Sequence, residues 1–164
     1  MFHKNPVQHV TTAAEAEMIE MVKAARAEAR WIQIVYHVDA DEWHKVAETT
    51  TRWVMPLSNV ASTRDGTLLF HSFCQLAAKD RDLQAKKDRL HPELAGIARS
   101  MSPRRTFRLD RVIGMKIGGQ LTEKNPWYNE LVWRYPDIAS ALGLKREWVR
   151  KPDEHGELHA VQVL

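Results

Sequence analysis

The sequence predicts an α+β protein, because its apolar residues follow two different periods. Between Ala13 and Arg30 they recur at helical spacing, and Thr12 and Glu15 have the spacing of a capping box. From Ile32 to Val38 they alternate, which is typical of a strand. With more strands in the middle of the chain and helices near its end, these patterns favour α+β.

Two further strands are predicted before residue 75. Residues 52–57 have the composition of a strand that ends at Pro56. Asp65 and Gly66 indicate a turn, and residues 67–74 form the next predicted strand. Those two strands can pair as a hairpin.

Residues 76–101 predict a helical insertion between two strands. Leu76, Leu83 and Leu90 recur every seven residues in a segment rich in charge, until Pro92 interrupts the helix. Two roles stay open for this insertion. It is either a surface helix packed by its leucines or a mobile arm over a ligand-binding face.

The stretch from Arg104 to Ile117 is the most unusual part of the chain. Read as a strand, it places Phe107 and Leu109 on one face and Thr106, Arg108 and Asp110 on the other, with a bend at Gly114. It carries five basic residues, Arg104, Arg105, Arg108, Arg111 and Lys116. Planar guanidinium groups on a strand suit phosphate or carboxylate recognition. The alternative is a solvated face in which Asp110 pairs with a neighbouring arginine.

Charge and composition narrow the function classes. The 164 residues carry a net charge of +3, but residues 79–116 hold 11 basic and 5 acidic residues. A basic middle segment is expected of a protein that meets a polyanion. The single cysteine, Cys74, excludes an intramolecular disulfide and a cysteine-built zinc site. The sequence has neither a bilayer-spanning apolar run nor an apolar signal core at its N-terminus, so we expect a cytoplasmic protein.

Four sequence landmarks follow one another along residues 15–117. The first is a helix leading into a strand with Tyr36, the second is the pattern Arg52-x-Val54-x-Pro56-Leu57, and the third is a strand ending Phe73-Cys74. The fourth is the block Arg105-Thr106-Phe107-Arg108-Leu109-Asp110-Arg111-Val112. In this order they resemble the WYL domain family, and the Phe-Arg-Leu-Asp-Arg block is the most specific of them. The resemblance implies a small, strongly bent Sm/SH3-like β-barrel with an N-terminal helix. It also implies a module that binds nucleic acid or a nucleotide-like ligand and regulates transcription or a partner enzyme.

Residue-by-residue matches to the family define the candidate ligand-binding residues: Arg52, Arg105, Arg108, Arg111, Tyr36 and Asp110. We expect the arginines to contact the ligand, and Asp110 to orient an arginine. The chain also departs from the family. The Trp-Tyr-Leu triplet falls on Leu68, Leu69 and Phe70, and Ala77 stands where an arginine commonly follows the cysteine. These departures leave open whether the ligand has been lost or changed.

The C-terminal third predicts helices that resemble a helix-turn-helix. Pro136 begins a predicted helix that Gly143 ends, and Leu144–Lys151 is predicted as the next helix. The offsets of Ala139, Gly143 and Val149 match that motif. The second helix would then carry the candidate DNA-contacting residues Lys145, Arg146, Arg150 and Lys151, with a wing-like strand in residues 157–164. The alternative is a pair of capping helices.

No residue pattern indicates catalysis, a metal or a cofactor, so we expect a non-catalytic protein. The predicted domains are a tail (1–12), a WYL-like barrel with its insertion at 76–101 (13–120), and a C-terminal helical extension (121–164). Two functions remain. One is a regulatory module that binds nucleic acid, with single-stranded DNA or RNA favoured, or a nucleotide. The other is a protein-interaction module, an accessory or inhibitor of a larger nucleic-acid enzyme. Whether it is encoded by a cell or by a phage or mobile element stays open. A homodimer is left open.

Overall fold

The computed structural model describes residues 11–41, 45–91, 97, 101–145, 151–152 and 158–159, the last two pairs as backbone alone. The chain divides into two compact units, Met1–Gly118 and Gly119–Leu164. None of the helices in these described ranges combines the length and apolar character that a membrane span requires.

The N-terminal helix α1, Ala13–Glu28, begins at the predicted capping box. The Thr12 hydroxyl accepts a hydrogen bond from the Glu15 N–H at 3.1 Å, and the Glu15 carboxylate accepts one from the Thr12 N–H at 3.2 Å. The helix ends at Ala29, whose φ of 51° is left-handed. The sequence prediction of this helix and its cap is confirmed.

Six strands form one sheet within the described part of the first unit. They are β1 Arg30–Val38, β2 Glu48–Pro56, β3 Ala61–Ser62, β4 Leu68–Cys74, β5 Arg104–Arg108 and β6 Val112–Gln120. Strand β4 has β2 and β3 along one side and β5 along the other, and β1 lies between β2 and β6. The predicted antiparallel pairing of β2 with β4 is confirmed, with Val54 opposite Cys74.

The sheet curls because its two edges are joined by a very short connection. Strands β5 and β6 lie at opposite edges, yet only the 3-10 turn Leu109–Arg111 separates them. Four strand spacings would hold the edges of a flat sheet about 19 Å apart, whereas three residues of 3-10 helix rise only about 6 Å. The sheet therefore bends into an antiparallel half-barrel.

The same turn corrects the prediction of one continuous strand from Arg104 to Ile113. The β-conformation stops at Arg108, and Leu109, Asp110 and Arg111 form the turn before β6 begins at Val112. Leu109 is buried, as the alternation predicts, but Asp110 does not continue the strand face of Thr106 and Arg108. The chain must turn here because it crosses from one sheet edge to the other.

The inner face of the half-barrel is filled by a single apolar cluster. Its members are Val22, Ala25, Ile32, Ile34, Tyr36, Val54, Phe70, Cys74, Ala77, Phe107, Leu109 and Val112. The Phe107 ring lies at its centre, 5.0 Å from the Tyr36 ring in an edge-on arrangement and 5.9 Å from the Phe70 ring. Burying each such side chain stabilises the fold by roughly 1.5–3 kcal/mol, which makes this cluster the main support of the sheet.

Helix α2, Gln75–Leu90, starts directly after β4 and confirms the first part of the helical insertion predicted over 76–101, whereas residues 92–96 and 98–100 lie outside the described part of the chain. Its packing differs from the prediction. Ala77 and Ala78 are buried and Leu76 is half-buried, but Leu83 and Leu90 are 57% and 76% exposed. The prediction of a surface helix packed by its leucines is therefore wrong beyond the first turn. One leucine in seven residues gives too narrow an apolar stripe to bury one face of the helix.

The second unit contains helix α3, Pro126–Arg134, and helix α4, Pro136–Ala141, both with proline in the first turn. The Asn125 side chain caps α3 by accepting a hydrogen bond from the Trp127 N–H at 2.9 Å. Gly143, with φ +71°, follows the end of α4. The predicted helix in residues 137–142 and its stop at Gly143 are confirmed.

The predicted helix over Leu144–Lys151 is wrong at both of its described ends. Leu144 and Lys145 are not helical, and the Lys145 N–H donates to the Tyr128 hydroxyl at 2.7 Å, which ties the chain to α3 instead. At the other end, Lys151–Pro152 forms strand β7, which pairs with β8, Leu158–His159. The predicted wing-like strand is confirmed at residues 158–159, whereas residues 146–150 lie outside the described part of the chain.

Candidate anion-binding site on the β4–β5 edge

The arginine-rich strand β5 lies along one edge of the sheet, paired only with β4 among the described strands. Its register places Phe107 opposite Phe70 on the inner face. On the outer face, Arg104, Thr106 and Arg108 lie opposite Phe73, His71 and Leu69. Two of the strand's arginines therefore share its outer face with a threonine and a histidine.

A pocket opens on this outer face and spans three neighbouring segments. It is lined by Leu57, Ser58, His71, Arg104, Arg105 and Thr106. Hydrogen bonds hold the segments together, since the Leu57 N–H donates to the His71 carbonyl oxygen at 2.8 Å and the Ser58 hydroxyl accepts from the His71 N–H at 3.0 Å. None of the described residues that line the pocket is acidic.

Arg105 reaches this pocket although its backbone position is on the inner side of the strand. Its guanidinium folds back and donates through Nη1 to the carbonyl oxygens of Ser102, at 2.7 Å, and Arg104, at 2.9 Å. Both acceptors are neutral, so no carboxylate among the described residues compensates the positive charge of Arg105. Such a fixed cation is well suited to bind an anion.

Arg104 supplies further donors, and His71 supplies a ring nitrogen whose role as donor or acceptor depends on its tautomer. The Arg104 side chain is exposed and makes no hydrogen bond or ion pair with any residue that the structure describes. Nδ1 of His71 lies 2.8 Å from the Thr106 hydroxyl, which orients the ring across the two strands. Within the same described set, Nε2 of His71 has no partner.

The positive charge of Arg108, unlike that of Arg104, is paired with a carboxylate. Asp110 binds its guanidinium with both carboxylate oxygens, at 3.0 Å from Nε and 2.6 Å from Nη2. These hydrogen bonds raise the pKa of Arg108 above its ordinary value. The predicted pairing of Asp110 with an arginine is confirmed, and it leaves Arg108 less positive charge to offer than Arg104 or Arg105.

Arg52 and Tyr36 lie on the inner side of the sheet, away from the pocket. Arg52 stacks over Phe107 with 5.7 Å between the guanidinium carbon and the ring centroid, and it donates to the Thr50 hydroxyl at 2.9 Å. The buried Tyr36 hydroxyl accepts a hydrogen bond from the Arg108 N–H at 3.2 Å. The sheet thus separates these two residues from Arg104, Thr106 and Arg108.

The remaining candidates are spread more widely. Arg111 is half-buried in the 3-10 turn, and Lys145 is exposed after α4. Arg146 and Arg150 lie outside the described residues, as does the side chain of Lys151. The predicted ligand-binding set is therefore not one continuous site in the structure, and the ligand contacts assigned to it stay predictions.

Sequence reasoning missed His71, Thr106 and Arg104 as members of the site. Alternation along β5 gives Arg104 and Thr106 a common face, so part of the signal was present. His71 is 35 residues from Thr106 in sequence, and only the cross-strand register brings the two together.

The described residues contain no group of three or more histidine, cysteine, aspartate or glutamate side chains placed to hold a metal ion. Searches of protein-family models, curated proteins and solved structures find no match to this chain.

Proposed function

We propose that the chain is a non-catalytic regulatory module that binds nucleic acid or a nucleotide through the outer face of the β4–β5 edge. One observation carries the proposal: Arg104 and Arg105 meet His71 and Thr106 in a pocket whose described lining contains no acidic residue. Two guanidinium groups without a counter-charge attract phosphate oxygens, and hydroxyl and imidazole groups complete their coordination.

The proposal extends to the family and the barrel type. We propose a divergent WYL-like module with an Sm/SH3-like barrel, in line with the resemblance of the sequence. Support comes from the small, strongly bent sheet, the preceding helix α1 and the position of the arginine-rich block on an accessible edge strand. The loss of the Trp-Tyr-Leu triplet fits a site built from arginines rather than stacked aromatic rings.

Fluorescence anisotropy with single-stranded and double-stranded DNA and RNA tests this function. We expect the wild-type protein to bind, with single strands preferred, and the variant Arg104→Ala/Arg105→Ala to bind at least about tenfold more weakly, because two charge-assisted contacts are lost.

The matched control is Lys86→Ala/Lys87→Ala, which removes the same charge from exposed positions on α2. It should retain most of the affinity. If both double variants weaken binding equally, the affinity arises from the general basic charge and the pocket is not the site. If neither a nucleic acid nor a nucleotide binds the wild-type protein, the proposed function is wrong.

A second candidate is the protein-interaction module. The observation that favours it is α2, whose Leu83 and Leu90 remain exposed while its buried residues, Ala77 and Ala78, lie at its start. Exposed leucine side chains one heptad apart on a helix can be buried by a partner protein. The two functions are separated by Leu83→Ser/Leu90→Ser, which should leave nucleic-acid binding unchanged if the β4–β5 edge is the site.

A further inference from the structure

The pocket on the β4–β5 edge has the features of a site for one compact, doubly charged anion. The pocket is short, because its lining comes from only three adjacent segments: the residues just after β2, the middle of β4 and the start of β5. Leu57 and Ser58 bound it on the β2 side. A phosphodiester in the middle of a strand carries one charge and must continue in both directions. A phosphate monoester carries about 1.5 to 2 charges at pH 7 and is a chain end.

The charge of the pocket matches such a group. Arg104 and Arg105 bring two permanent positive charges, and among the described residues neither is paired with a carboxylate. The neighbouring Arg108 is held by Asp110, so the two strongest attractors lie together at the start of β5.

The hydrogen-bonding groups also suit a monoester, which has three strongly accepting terminal oxygens. Arg105 keeps Nε and Nη2 for a ligand after its bonds to the two carbonyl oxygens, and the whole Arg104 fork remains. When the Thr106 hydroxyl donates to Nδ1 of His71, the ring presents Nε2–H as a further donor.

We propose that this pocket recognises a terminal phosphate monoester, either the phosphorylated end of a single-stranded nucleic acid or a free nucleoside monophosphate. This inference rests on the proposed function and names the group that the site selects. The bound end would place the following nucleotides along the outer face of β5, toward Thr106 and Arg108.

The test compares one single-stranded oligonucleotide with a 5′-phosphate, a 3′-phosphate or only hydroxyl ends, by anisotropy at constant salt. We expect one phosphorylated form to bind about tenfold or more tightly than the hydroxyl form, the effect of one or two charge-assisted contacts. Arg104→Gln and His71→Gln should abolish this preference. Lys87→Gln on α2 should preserve it, and circular dichroism should show that all three variants are folded.

Adenosine monophosphate, adenosine and inorganic phosphate, added as competitors, identify the source of the monoester. If adenosine monophosphate displaces the labelled oligonucleotide at the same concentration as the unlabelled phosphorylated oligonucleotide does, the ligand is a nucleotide. If it does so only at a far higher concentration, the ligand is the end of a nucleic acid. Both results support the inference.

Equal affinity for phosphorylated and hydroxyl ends, with binding still dependent on Arg104 and Arg105, overturns the monoester inference and leaves the proposed function standing. Binding of no oligonucleotide and no nucleotide overturns both. Binding of adenosine monophosphate alone, lost in Arg104→Gln, supports the monoester site and limits the proposed function to nucleotides.

Discussion

The hydrogen-bond partner of each arginine in β5 decides how much of its positive charge remains to attract an anion. Arg108 donates two hydrogen bonds to the carboxylate of Asp110, which compensates its charge, while Arg105 donates to neutral carbonyl oxygens. Arginines three positions apart on the same strand therefore differ in the charge of their partners, because these are a carboxylate in one case and peptide carbonyl groups in the other.

Asp110→Asn tests this difference. The substitution removes a negative charge beside β5 and releases the Arg108 guanidinium, so we expect the affinity for single-stranded DNA to rise by about two- to fivefold. Stability should fall by less than about 1 kcal/mol because the pair is on the surface. Anisotropy and thermal unfolding measure the two effects.

The control is Asp80→Asn, which removes an exposed carboxylate from α2 and changes the net charge equally. An equal gain in affinity in both variants would attribute the effect to net charge and remove Arg108 from the site.

A glycine in β6 provides a separate test of packing on the outer face of the sheet. A Cβ at Gly118 would lie 2.7 Å from Cζ3 of Trp53 and 3.1 Å from the carbonyl oxygen of Trp31. The ring can move but the carbonyl cannot, so we expect Gly118→Ala to lower the free energy of unfolding by about 1–2 kcal/mol in urea titrations.

The matched control is Gly114→Ala in the same strand, where the nearest atom, Cγ2 of Val35, is 3.7 Å away. It should be neutral or slightly stabilising, because alanine reduces the entropy of the unfolded chain. Equal destabilisation by both variants would show that β6 rejects any side chain and that Trp53 is not the cause.

At the level of elements, the local periods of the sequence predict most helices and strands correctly. The capping box at Thr12, the alternation in β1 and the stop at Gly143 depend on neighbours in sequence, and all three are confirmed. The failures occur where distant contacts decide. Residues 109–111 form a turn because the chain must cross from one sheet edge to the other. Lys145 does not adopt the predicted helix, and its N–H donates to the Tyr128 hydroxyl instead.

The candidate site was predictable only in part for the same reason. A dense run of arginines identified the strand, but the sequence did not reveal that Arg108 would be held by Asp110 in a bidentate pair or that His71 would lie beside Thr106. Those relations follow from register and side-chain geometry, which a single sequence leaves open.

An exposed leucine in α2 can be compared directly with a buried leucine in the 3-10 turn. Leu83 is 57% exposed, whereas Leu109 is only 1% exposed. We expect Leu83→Ala to change the free energy of unfolding by less than about 0.5 kcal/mol, and Leu109→Ala to lower it by about 2–5 kcal/mol. Chemical denaturation measures both. A loss above 2 kcal/mol in Leu83→Ala would mean that this face of α2 is packed in solution.

At the level of the whole molecule, the net charge of +3 conceals an uneven distribution. Residues 104–116 hold five basic residues and one acidic residue, whereas residues 1–78 hold seven basic and nine acidic ones. Long-range attraction by the whole chain is therefore weak, and the affinity for a polyanion must come from a few local contacts.

This distribution sets the expected salt dependence of binding. Two or three phosphate contacts on single-stranded nucleic acid give a slope of log affinity against log salt of about −1.4 to −2.1. Raising the salt from 50 to 200 mM should therefore weaken binding about 7- to 18-fold. In Arg104→Ala/Arg105→Ala the slope should approach zero, because those residues make most of the contacts. A slope near −5 in the wild type would mean that α2 and the rest of the basic segment also lie on the nucleic acid. A flat response in the wild type would exclude phosphate contacts as the source of affinity.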